Sequence, residues 1–278
     1  AVGGVAVGLV HGLVFRRYVG FALVGAAAYV GLYFLVTTTI TKIRAELGPP
    51  VHDLHFGGPD RMLLTWLGVE SMAPGDRMGM TLFFGFNRAY RGVPQPMMLE
   101  AMKAAELERG SQRRVAWAML LAGPVAAFGS CWAMLHWAYV DGMQFARESY
   151  RIGGQAWTRL DSWFSLPWPG GAAATGAMAV GAGICLLLMA LRLQFVAFPF
   201  HPIGYAISAN WAMNCVWTPI LIGWAAKTLT LKYSGAKGYR AGLPVAIGLI
   251  LGEFVIGSLW SLFGVIAHVP VYQFWMFD

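Results

Sequence analysis

The chain has 278 residues, 58% of them hydrophobic and 12% charged, with a mean hydropathy of +0.57. A soluble domain carries about 25% charged and about 45–50% apolar residues, so this composition cannot coat a water-facing surface and specifies an integral membrane protein. The formal charge of +7 shows no clustered basic face, which speaks against a nucleic-acid partner and suits Lys and Arg at helix ends meeting anionic headgroups.

Spanning a hydrocarbon core about 30 Å thick takes about 20 apolar helical residues. Residues 1–41 hold two membrane segments. The first, about 1–15, is short, begins without Met or a basic leader and ends at Arg16-Arg17. It reads as the tail of a truncated helix in a fragment of a longer protein, whose N-terminal part would be a partner of this one. The second, about 18–41, stops at Lys42 and Arg44.

Residues 42–113 are polar and punctuated by proline, and are read as an extramembrane or interfacial region. Within it "PQPMMLEAMKAAELERG" (94–110) predicts a helix with Met98, Leu99, Met102 and Ala105 on one side, lying on the membrane surface or capping the bundle. "MLLTWLGV" and "MTLFFGF" are too short to span and are read as dipping into the interface. Residues 114–278 hold four further segments, about 115–139, 172–196, 204–228 and 242–267. Continuous apolarity excludes barrel strands, which alternate. The fold class is therefore all-α: a polytopic transmembrane helix bundle of about six membrane segments.

Small residues recur at packing intervals in Gly4, Gly8 and Gly12, in Ala173, Ala177 and Gly181, and in Gly248 and Gly252. Such spacing lets helix backbones approach within one chain or between copies, so a homo-oligomer is open. Cys131, Cys185 and Cys215 lie in separate apolar segments and read as small buried hydrophobes. The positive-inside rule tilts one set of basic residues toward the cytoplasm: Arg16, Arg17, Arg147, Arg151, Arg159, Lys227, Lys232, Lys237 and Arg240. The basic residues of 42–114, with Arg192, fall on the opposite side.

Glu253 stands in the middle of "IGLILGEFVIGSLW" (247–260). A charge at the bilayer centre costs about 2.5–3.5 kcal/mol even on a lenient scale, so the acid should point into the bundle with Ala246, Gly257 and Ser261. It reads either as a coupling carboxylate for protons or cations or as a structural acid bonded to a neighbouring helix. Asn210, Asn214 and Thr218 recur at intervals of four, a stripe that lines a polar cavity or glues helices together. Pro219 follows, and a kink is expected there.

"PFHPIGY" (199–205) carries Pro199, His201 and Pro202. It is a tight interhelical turn or a re-entrant break that offers His201 to a cavity. In "PPVHDLHFGGPDR" (49–61), His52, Asp53, His55 and Asp60 are weak metal-ligand candidates against a solvated turn-rich loop. No HExxH, GxSxG, P-loop or dinucleotide fingerprint occurs, and no cofactor is expected.

The stretches "IRAELGPPVHDLHFGGPD", "FPFHPIGYAIS", "KYSGAKGYR" and "GLILGEFVIGSLWS" carry a resemblance to a family of large prokaryotic polytopic membrane proteins, a domain of unknown function. The resemblance covers most of 40–275 and implies the C-terminal half of a longer, transporter-like chain in the prokaryotic inner membrane. It implies topology and no mechanism. The function read from these residues is a permease, or part of one, for a small molecule or ion in the lipid bilayer. The alternatives are a non-transporting scaffold or assembly protein and, third, a membrane enzyme using His52, Asp53 and His55.

Overall fold

The computed structural model describes residues 12–49, 54, 57–142, 153–166, 170–269 and 271. It comprises two compact units, Ala1–Asn210 and Trp211–Asp278. Every regular element among the described residues is helical. Four helices are long and apolar enough to cross a membrane: Leu23–Leu47, Gln112–Val140, Ala172–Gln194 and Trp211–Ala267.

In the first unit, helix α1 covers 12–19 and ends at Gly20, whose φ of 78° lies in the left-handed region. Helix α2 (Leu23–Leu47) contains the β-branched run "VTTTIT", a poor helix former. The run stays helical because its hydroxyls donate back along the helix, Thr39 Oγ1 to the Leu35 carbonyl and Thr41 Oγ1 to the Thr37 carbonyl, each at 2.8 Å. No polar group of these two is thereby left to the lipid. Gly48, at φ 55°, closes α2 with its N–H on the Arg44 carbonyl at 2.9 Å.

Helices α3 (Pro59–Leu67), α4 (Pro74–Leu82) and α5 (Phe84–Asn87), a 3-10 turn (Tyr90–Gly92) and helix α6 (Pro94–Leu107) follow. The segment from Leu54 to Val93 travels along α2 and back. On the outward limb Leu54 and Met62 pack beside Val36 and Ile40, then Leu63, Leu64 and Val69 join Phe21 and Tyr29. On the return limb Gly75 and Gly79 touch Gly20 and Phe21, Phe83 lies 5.4 Å from Tyr29, and Tyr90 lies 5.9 Å from Tyr33. The Arg44 Nε–Glu100 Oε1 pair at 2.6 Å then fixes α6 to the end of α2. From Phe21 to Ile40 the helix rises about 28 Å, close to the thickness of a hydrocarbon core.

The short apolar helices of this stretch cover the buried side of α2. Of the apolar side of α6, Met98, Met102 and Ala105 are half-buried, whereas Leu99 is exposed.

Helix α7 (Gln112–Trp137) is capped by Ser111, whose Oγ accepts from the Arg114 N–H at 3.4 Å, and continues as a π-turn to Gly142. Helix α8 (Gln155–Ser165) packs against α4, and α9 (Ala172–Gln194) follows it. Neither α7 nor α9 has a buried residue, so their apolar sides are open to lipid or to further protein. Helix α10 (Pro202–Ser208) folds back on α9; a Cβ on Gly181 would stand 3.7 Å from the Tyr205 hydroxyl.

The second unit is built on α11 (Trp211–Ala267). Backbone angles are helical through Pro219 and depart from helix at Gly235 (φ 62°, ψ −165°). Lys227 Nζ reaches the Tyr239 ring at 5.6 Å, whereas twelve residues of straight helix rise about 18 Å. The chain therefore bends back at Gly235. The spans expected at 204–228 and 242–267 are corrected accordingly: the first begins at Trp211, and 229–241 is helical apart from Gly235. Lys, Arg, Ala and Leu are strong helix formers even where too polar for lipid, which hydropathy alone does not register.

Gly235→Ala should lower the thermal midpoint of the detergent-solubilised chain, by about 1–3 kcal/mol of backbone strain, because φ 62° with ψ −165° lies in a region that essentially only glycine adopts. Gly235→Asn should lower it comparably, since Asn tolerates the αL well and not this one. Equal midpoints for Gly235→Ala and the parent chain would remove the argument that this φ is required.

Candidate functional site

The site grows from the glycine-proline step that opens α3. Gly58, extended at φ −109°, precedes Pro59 at the first helical position and Asp60 in the first turn. That turn lies against Tyr29 and Tyr33, the seventh and eleventh residues of the 25 in α2. Asp60 is 3% exposed. Its Oδ1 accepts from Asn87 Nδ2 at 2.7 Å, and its Oδ2 pairs with Arg159 Nη2 from α8.

Arg159 is clamped on both faces, its guanidinium carbon 4.4 Å from the Phe84 ring centroid and 5.3 Å from that of Trp163. Next to Asn87, Arg88 donates from Nε to Gln155 Oε1 at 2.8 Å. Three sequence regions, 58–60, 87–88 and 155–159, thus converge on one carboxylate. The Tyr29 hydroxyl and Asn87 Oδ1 are buried here without a hydrogen-bond partner among the described residues.

The convergence needs a glycine at 58. A Cβ there would stand 2.7 Å from Asn87 Nδ2 and in contact with Asp60 Oδ1. A cavity of about 410 Å³ opens beside the pair, lined by Arg61, Thr65, Ser162, Trp163 and Arg159 itself. Arg159 therefore faces Asp60 on one side and open space on the other. Such an arginine can exchange one anionic partner for another without its charge ever being left unpaired.

A second cavity, about 420 Å³, is bounded by the last turns of α2 and α9 and by α10, with Lys42, Glu46, Arg192 and His201 on its wall. His201 caps α10, its Nδ1 accepting from the Ile203 N–H at 3.2 Å. Pro202 opens that helix and Pro199 lies in the non-helical stretch before it. The 198–205 stretch thus joins a non-helical lead to the first turn of α10, with His201 lining a cavity.

Asn210 lies in the non-helical residue before α11 and is half-buried, while Asn214 and Thr218 are exposed on α11. Glu253 is exposed on α11 in the second unit, as are Ala246 and Ser261, while Gly257 is half-buried. Gly248 and Gly252 have open space before them.

His52, Asp53 and His55 lie outside the described residues. Among the described residues no group of three or more His, Cys, Asp and Glu could hold a metal ion. Asp60, considered for such a group from its sequence neighbours, is bound to Asn87 and Arg159.

Asn87 and Arg88 carried a legible signal: two polar side chains directly after the apolar "MTLFFGF". Arg159 carried none beyond its place in an amphipathic stretch. Its partner is 99 residues away.

Four helices long and apolar enough to cross a membrane mark a polytopic helical membrane protein. A family of unknown function, DUF6785, matches residues 1–276, and the chain belongs to it. No curated protein and no solved structure matches the chain.

Proposed function

We propose that this chain is a membrane permease, or part of one, for a small polar solute or ion, with the Asp60–Arg159 pair as its working element. The observation that carries this reading is a buried ion pair, level with the inner half of an apolar helix of span length, that also lines a cavity. Ionisable residues at bilayer depth are costly and mark solute or proton paths by default. A short helix that begins there, as α3 does at Pro59, is a usual way for transporters to bring polar groups to that depth. An anionic solute in the cavity would compete with Asp60 for Arg159, and the freed Asp60 could take a proton. Glu253 is a second candidate coupling acid: it makes no hydrogen bond or ion pair with a described residue and stands in the apolar run "IGLILGEFVIGSLW" of α11. The open apolar sides of α7 and α9 also suit a scaffold that other chains cover.

The test is flux in liposomes carrying the full chain, read with an internal pH dye while peptides and small organic acids are offered in turn. Substrate-dependent proton flux that falls at least about tenfold (about 1.4 kcal/mol) in Asp60→Asn and Arg159→Gln, with folding retained, is expected. Flux equal in both variants and the parent would sink the role of the pair. Loss confined to Glu253→Gln would transfer the coupling role to that acid.

A further inference from the structure

The second cavity has a composition that the transport reading does not use. Its lining is apolar at Ile43, Met189, Leu193 and Ile203, and also carries Lys42, Arg192 and His201 against one carboxylate, Glu46. Lys42 and Glu46 form an exposed i,i+4 pair at 3.7 Å, which engages the lysine weakly. Arg192 makes no hydrogen bond or ion pair with a described residue and is exposed. His201 spends Nδ1 as an acceptor for the Ile203 N–H, so the proton of its neutral ring lies on Nε2, a donor not used by that cap. The cavity thus presents an uncommitted guanidinium, an ammonium and an imidazole N–H above a greasy floor.

Its location gives the same answer. Lys42 lies in the last turns of α2 and Arg192 in the last turn of α9, two helices of span length whose C-terminal ends meet here. Cations at the ends of spans belong at the level of the lipid headgroups. At about 420 Å³ the space is within the range of small-ligand pockets. Basic pockets between helices at this level suit acidic headgroups.

We propose that the α2–α9–α10 cavity binds an anionic amphiphile, an acidic phospholipid or an alkyl phosphate. Its anion contacts Arg192, Lys42 and the His201 Nε2–H, and its first methylenes lie on Met189 and Ile203. This does not depend on transport.

The test uses the full chain in neutral detergent, with binding followed by native mass spectrometry and by the thermal midpoint. Four probes are compared: phosphatidylglycerol, phosphatidylcholine, dodecyl phosphate and inorganic phosphate. Phosphatidylglycerol and dodecyl phosphate should bind at least about tenfold more tightly than phosphatidylcholine, and Arg192→Gln and Lys42→Gln should each remove about fivefold. Met189→Trp, which fills the floor and keeps every charge, should abolish binding of both amphiphiles even if a charge variant fails to fold. Equal retention of the two phospholipids would overturn the proposal. So would inorganic phosphate binding as tightly as dodecyl phosphate, or tight binding that survives Met189→Trp.

Discussion

Asp60→Ala is expected to destabilise the folded chain by about 3 kcal/mol, the lower end for breaking a buried ion pair. The substitution leaves the Arg159 guanidinium between Phe84 and Trp163 with no counter-charge, and leaves Asn87 Nδ2 without its acceptor. The loss stays at the lower end because the Arg159 side chain is 24% exposed, toward the cavity, and can recruit water or an anion there. Asp60→Leu combined with Arg159→Met should recover most of the loss, since a well-packed apolar pair removes both the charge and its desolvation. Thermal unfolding in mild detergent of the parent, Asp60→Leu, Arg159→Met and their double variant gives the coupling directly. If Asp60→Ala unfolds with the parent, or the double variant is no better than Asp60→Ala, the pair does not organise this region.

The second large effect is expected at Gly75. Helix α4 docks on the start of α2 so closely that a Cβ on Gly75 would lie 3.0 Å from Gly20 Cα and nearer still to its carbonyl. The obstacle is backbone, so no rotamer change relieves it. It is also held in place, because Asp76 Oδ1 accepts the Ala22 N–H at 2.8 Å and puts a carboxylate at the N-terminus of α2. Gly75→Ala should therefore cost about 3 kcal/mol, the upper part of the overpacking range. Gly79→Ala should cost somewhat less, because its obstacle is the Phe21 ring at 2.6 Å, a side chain. Gly31→Ala and Gly176→Ala, with nothing within 4 Å of the new carbon, should be neutral or gain up to about 1 kcal/mol of helix propensity. Thermal midpoints of the four variants check the order; a harmless Gly75→Ala would mean that α4 does not sit against Gly20.

Both expectations rest on elements whose presence the sequence announces and whose placement it does not. The apolar runs around 23–47, 112–140 and 172–194 specify helices from composition alone, because a backbone in lipid must bond to itself. Pro94 and Gly110 likewise bracket α6 from local chemistry. "MLLTWLGV" and "MTLFFGF" were legible as apolar and too short to span, but no periodicity says which neighbour a short helix covers.

Similarly, "GGPD" announces a helix start at Pro59, while the partners of Asp60 are Asn87 and Arg159, 27 and 99 residues away. Glu253 drew the eye because it interrupts a hydrophobic run. Asp60 was hidden among turn residues that gave its charge an ordinary explanation.

Composition and local pattern determined by themselves that this is a helical membrane protein, which stretches are helical, and where several of them end. These follow from backbone hydrogen bonding and transfer energies, which act over a few residues. Only the tertiary structure decided that 54–93 lines α2, that Gly75 is a contact, and that Asp60 meets Arg159 beside a cavity. Those depend on packing complementarity and on long-range charge pairing, which arise only when segments distant in sequence are brought into contact.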